Sequence, residues 1–151
     1  MSASAANRSA VNQKTFSEAL RSLSGEPASS PPPLDAVRHG LPVSMVDDIK
    51  GQLDLDLETL ASILGVSART IQRRRGQGAP LTASASDRLW RLLHVWTRAI
   101  DALGTDAAAR TWLTTPHSLL DGEAPIERLD TEPGLRMVED MLTVIDETGA
   151  A

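Results

Sequence analysis

Apolar side chains recur along this chain at three- and four-residue intervals, the spacing that keeps them on one face of an α-helix. Nowhere do they settle into the sustained alternation of a half-buried strand. Val46, Ile49 and Leu53 form one stripe, with Ser44 placed to cap its helix. Leu57, Leu60, Ala61 and Leu64 form the next, capped by Asp56 and ended by Gly65 as a left-handed C-terminal cap. Ser67 opens a third helix that stops around Gly76, Gly78 and Pro80, and Ser84 is placed to cap a long fourth through Leu89, Leu92, Leu93, Trp96, Ile100 and Leu103. Thr105 caps a short helix with Ala108, Ala109, Trp112 and Leu113, halted by Pro116. A loop through Asp121-Gly122 and a turn near Ile126 and Leu129 lead to a last helix, which Thr131 caps. Pro133 sits harmlessly in its first turn, and Leu135, Val138, Leu142 and Ile145 are its buried stripe. The expected fold class is all-α.

Upstream the pattern thins. Phe16, Leu20 and Leu23 hold one helical spacing, followed by Ser24-Gly25-Glu26-Pro27 and a Ser-Ser-Pro-Pro-Pro run ending at Pro33, through which no helix continues. The chain therefore divides into a flexible arm and linker (residues 1–38), a helical region with the long helix as a dimerisation element (39–103), and a small helical domain (104–151).

Charge changes this picture. The net charge of −5 hides an uneven distribution. Residues 1–43 carry four basic and three acidic side chains, residues 44–100 eight and six, and residues 101–151 three and eleven, leaving −8 on the last third. A basic middle followed by an acidic end suggests two surfaces with different partners, one polyanionic and one basic. The chain has no Cys, so disulfides and thiolate chemistry are excluded. No apolar run approaches a membrane span and the N-terminus lacks a secretory apolar core, so the expected location is the cytoplasm.

The most informative stretch runs from Leu57 to Arg75, two helices separated only by Gly65-Val66-Ser67. Ala61 is small where the second helix must cross closely, Gly65 takes the positive φ of the turn, and Val66 and Ile71 fill the crossing, as a DNA-reading helix-turn-helix requires. The second helix would enter a major groove, with Ser67, Ala68, Arg69, Thr70, Arg73 and Arg74 as its exposed, DNA-contacting residues. Arg75 falls where an apolar residue would tie the helix to the core, so either its stem snorkels or the helix is rotated slightly. One such motif reads few base pairs, which implies a dimer on an inverted repeat. Three arginines per protomer (Arg69, Arg73 and Arg74) neutralise roughly six charges, giving a slope of log K against log salt near about −5.

The residues Ala107-Ala-Ala-Arg-Thr-Trp-Leu113, Pro116, Leu119-Leu-Asp-Gly-Glu-Ala-Pro125, Ile126, Leu129, Thr131, Gly134, Val138, Leu142 and Ile145 resemble the toxin-binding domain of the Xre/MbcA/ParS-like antitoxins. Gly40-Leu-Pro-Val-Ser44, the helix-turn-helix and Ser86-Asp-Arg-Leu89 resemble the Xre-type N-terminal half of that family. The resemblance implies an antitoxin beside an NAD-consuming toxin of the RES-domain type, repressing its own operon and forming dimers and larger hetero-oligomers with the toxin. Trp112-Leu113 and Leu119-Leu120-Asp121-Gly122 would build the domain's own core and turn. The toxin contact is expected at Glu147, Thr148, Gly149, Ala150 and Ala151. An acidic tail with a terminal carboxylate suits the cationic donors that an NAD pocket presents to pyrophosphate.

An enzyme finds little support. His39, His94 and His117 lie on distant segments without metal-ligand spacing, and the serines clustered in the arm have no plausible histidine and acid arranged around them. Asp54, Asp56 and Glu58 alternate like Ca²⁺ ligands but lack the glycine and distant glutamate of such a loop, so capping explains them better. No metal or cofactor is expected. The alternative is a stand-alone dimeric regulator whose C-terminal domain only oligomerises, with Leu89, Trp96 and Leu103 as its dimer seam.

Overall fold

A computed structural model describes residues 34–149, in which seven α-helices and two short 3₁₀ turns follow one another with no strand among the described residues. The apolar pattern at Phe16, Leu20 and Leu23, and the tail residues Ala150 and Ala151, lie outside them. The helices are α1 (Leu34–His39), α2 (Ser44–Leu53), α3 (Leu57–Leu64), α4 (Ala68–Gln77), α5 (Ala83–Leu103), α6 (Asp106–Thr114) and α7 (Glu132–Thr148), with 3₁₀ turns at Ser118–Leu120 and Pro125–Asp130.

The long helix α5 is the axis of the molecule. It touches α1, α3, α6, α7 and the second 3₁₀ turn. Leu89, Leu92, Leu93, Val95 and Ala99 are wholly buried on several of its faces, as in a helix surrounded by its own fold. Of the residues expected to form a dimer seam, Leu89 and Trp96 are therefore inside the protomer's core and Leu103 is half-buried against it.

Four local expectations are corrected. Residues 34–38, assigned to a linker, belong to α1, which packs on α5 with Val37 buried. Helix α2 starts at Ser44, but its cap position is Val43, already in helical geometry, so the Ser44 hydroxyl has no free amide to accept from. Helix α5 is capped by Thr82, whose Oγ1 accepts from the Ala85 amide at 3.2 Å, rather than by Ser84. The earlier start follows from Leu81, which is buried and donates its amide to the Leu41 carbonyl at 3.0 Å, pinning the chain just before the cap. Leu119, placed in the core by resemblance, is 70 % exposed, and only Leu120 points inward.

The capping residues Asp56, Ser67, Thr105 and Thr131 each accept the amide three residues on, as the sequence predicts. At Gly134, in the first turn of α7, a Cβ would collide with the Arg128 carbonyl oxygen, so a glycine lets the second 3₁₀ turn lie directly on the helix. Arg128 braces the preceding loop, donating from Nη2 to the Leu120 carbonyl at 2.8 Å and pairing with Glu123 at 2.7 Å.

One core runs through both halves. Leu60 and Leu64 of α3, Leu93 of α5, Leu113 of α6 and Leu142 of α7 belong to a single buried cluster. Arg110 of α6 donates from Nε to the Gln52 carbonyl at the end of α2 at 2.7 Å, a polar tie across the same junction.

Candidate nucleic-acid interface and acidic C-terminal surface

The helix-turn-helix is built by local chemistry at three points. The Asp56 carboxylate accepts the Thr59 amide at 2.7 Å and starts α3; that backbone hydrogen bond holds its carboxyl below the usual aspartate value. Gly65, at φ 71°, turns the chain while its amide and that of Val66 close the last carbonyls of α3. Ser67 then starts α4, its Oγ accepting the Thr70 amide at 3.0 Å. Ala61 and Ile71 are buried where the helices cross, and Val66 is half-buried against the same core.

This packing sorts the expected DNA-contacting residues. Ser67, Arg69 and Arg73 are exposed, and Thr70 is half-buried with its hydroxyl 2.9 Å from Ser67 Oγ. The Arg69 and Arg73 guanidiniums have no hydrogen-bond or ion-pair partner among the described residues. Ala68 is a correction: it is only 6 % exposed and belongs to the same buried cluster as Ala61 and Ile71. Arg74 is a second. Its Nη1 donates to the Pro80 carbonyl at 2.6 Å and its Nε is buried, so this guanidinium closes the loop after the helix. Arg75 stays exposed and pairs with Asp47 of α2 at 2.7 Å, a charged tie where an apolar one was expected.

At the other end, the three arginines of the C-terminal third are all engaged within the molecule: Arg110 with the Gln52 carbonyl, Arg128 with Asp121 and Glu123, and Arg136 with Glu132. Asp140, Asp146 and Glu147 are exposed with no ion-pair partner among the described residues. Helix α7 ends at Gly149, φ 66°, whose amide donates to the Ile145 carbonyl at 2.7 Å, leaving Glu147, Thr148 and Gly149 exposed at its tip.

One feature of this surface escapes the sequence reading. Met137 and Val144 are 42 % and 55 % exposed, and with half-buried Met141 they form an apolar strip at i, i+4, i+7 beside the buried stripe of α7. The spacing is visible in the sequence, but apolar residues flanking a core stripe read equally well as a wider buried face.

Among the described residues no group of three His, Asp or Glu is placed to hold a metal, and no helix is long and apolar enough to cross a membrane.

Comparison with known proteins gives this arrangement its class. Residues 32–94 match the antitoxin Xre-like helix-turn-helix domain, and residues 98–147 match the antitoxin Xre/MbcA/ParS C-terminal toxin-binding domain. Two proteins named Antitoxin Xre are similar over most of their length. One from Yersinia enterocolitica is 31% identical over 130 residues, 85% of this chain and 88% of the relative. One from Photorhabdus laumondii is 31% identical over 137 residues, 89% of this chain and 93% of the relative. A third, from Pseudomonas putida, is 35% identical over 82 residues, about half of each chain. The chain belongs to the Xre antitoxin family, a family of toxin-binding, helix-turn-helix proteins and not of enzymes.

Proposed function

We propose that this antitoxin blocks an NAD-consuming toxin of the RES type in the cytoplasm and represses its own operon, binding an inverted repeat as a homodimer and forming larger hetero-oligomers with the toxin. The observation that carries the reading is the opposition of unpaired charges. Arg69 and Arg73 stand free on the recognition helix, while Asp140, Asp146 and Glu147 stand free around the end of α7. A polyanionic duplex matches the first surface. A cationic pocket that receives the pyrophosphate of NAD matches the second. The strip of Met137, Met141 and Val144 supplies apolar area beside these carboxylates, and apolar contact provides the bulk of association energy where charge provides orientation. The contact with toxin then runs along α7 into Glu147, Thr148, Gly149, Ala150 and Ala151.

The regulator reading loses its main support, because Leu89 and Trp96 lie inside the protomer. Three measurements on one preparation test the proposal. The chain should co-purify with the product of the adjacent reading frame, suppress the NAD loss which that product causes, and shift a duplex from its own promoter. Co-purification without suppression of NAD loss contradicts the toxin assignment, and failure to bind the promoter contradicts autorepression.

A further inference from the structure

Arg88 lies in α5, outside the helix-turn-helix, yet its guanidinium rests on the turn of that motif. A Cβ added to Gly65 would meet Arg88 Nη1 at 2.6 Å and Cζ at 2.9 Å. Gly65 is needed for its φ of 71°, and the Arg88 guanidinium, the far end of a flexible side chain, lies where a side chain at that position would stand. Arg88 is half-exposed and makes no hydrogen bond or ion pair among the described residues. The carboxylate next to it in sequence is taken, since Asp87 pairs with Arg91 at 2.8 Å. Nor does Arg88 cap α3. The amides of Gly65 and Val66 serve the Ala61 and Ser62 carbonyls, and no hydrogen bond runs from Arg88 to the carbonyls that remain. A cation without a partner beside this turn is available to an anion that arrives from outside.

The turn leads within two residues to Ser67, the first residue of the recognition surface. Resting on our reading of this motif as the DNA interface, we propose that Arg88 clamps a backbone phosphate at the edge of the groove that α4 enters. Arg88 then takes the third contact per protomer that Arg74, engaged with Pro80, does not provide. A phosphate contact positions the protein without reading sequence.

The test is the salt dependence of binding, by fluorescence anisotropy of the full chain on a promoter duplex and on an unrelated duplex between about 50 and 200 mM salt. For a dimer with three phosphate contacts per protomer the wild-type slope is about −5, and Arg88→Gln reduces its magnitude by about 2. Arg88→Gln weakens binding to both duplexes by the same factor, Arg88→Lys keeps the slope, and Arg91→Gln, on the paired neighbour, leaves it unchanged. An unaltered slope in Arg88→Gln beside a steep wild-type slope overturns the proposal alone. Equal loss in Arg88→Lys and Arg88→Gln with a lowered melting temperature overturns it in favour of a packing role. A flat wild-type slope overturns this proposal together with the DNA reading.

Discussion

The guanidinium of Arg75 donates to the Asp47 carboxylate at 2.7 Å, joining the recognition helix to α2 across 28 residues of sequence. Helix α2 also receives Arg110 from α6 at its other end, so one ten-residue helix touches both the motif and the toxin-binding region. The Arg75–Asp47 pair is open to water on both sides, 42% and 52% exposed, and such pairs contribute about 0–1 kcal/mol. On our reading of this motif as the DNA interface, its effect should be larger on DNA binding than on stability. Asp47→Asn removes a negative charge from the duplex-facing end and releases Arg75. We predict a melting temperature within a few degrees of wild type, tighter binding to non-specific duplex and a steeper salt slope. Weaker binding would show that the pair, by orienting α4, matters more than the charge it cancels.

Arg73 and Arg74 are adjacent in sequence and opposite in role. Arg73→Met should lower DNA affinity and leave thermal stability alone, because its exposed guanidinium has no hydrogen-bond or ion-pair partner among the described residues. Arg74→Met removes the bond to the Pro80 carbonyl and should cost about 1 kcal/mol of stability. Parallel melting curves and anisotropy titrations separate the two; equal effects of both variants on melting would contradict the assignment.

The cap of α3 carries a pH signature. The Thr59 amide holds the Asp56 carboxyl below 3.8, so its contribution to stability is present above that unfolded-state value and is lost as pH falls through the lower folded value. Asp56→Ala should therefore melt earlier than wild type at pH 7 and at pH 5 by the same margin, with the gap closing below about pH 4. A gap that persists at pH 2 would mean the cap acts through shape alone.

Because a single core spans the motif and the C-terminal helices, damage at one end should be felt at the other. Leu142→Ala, in the fully buried stripe of α7, should cost about 2–5 kcal/mol. Unfolding should remain one transition, with tryptophan fluorescence and far-ultraviolet circular dichroism coinciding. A second transition, leaving the helix-turn-helix folded, would show two independent units.

Much that depends on near neighbours is legible in the sequence. Asp56, Ser67, Thr105 and Thr131 cap as expected because each bonds an amide three residues away, and Gly65 turns the chain because φ is a local property. Long-range contacts were not legible. The start of α5 is decided by Leu81 meeting Leu41, and the roles of Arg74 and Arg75 by Pro80 and Asp47, partners that periodicity does not reveal. Ala68 was mistaken for surface because it stands between exposed Ser67 and Arg69, whereas a helix turns consecutive residues about 100° apart. Membership of the family was legible because the motif residues occur in order along both halves.

We infer that one molecule meets nucleic acid through the free guanidiniums of α4 and a toxin through the acidic end of α7. The most direct test is a chain lacking residues 147–151, assayed for promoter binding and for suppression of NAD loss by the co-expressed toxin. We predict wild-type affinity for the promoter together with loss of suppression. Full suppression by the shortened chain would contradict the account.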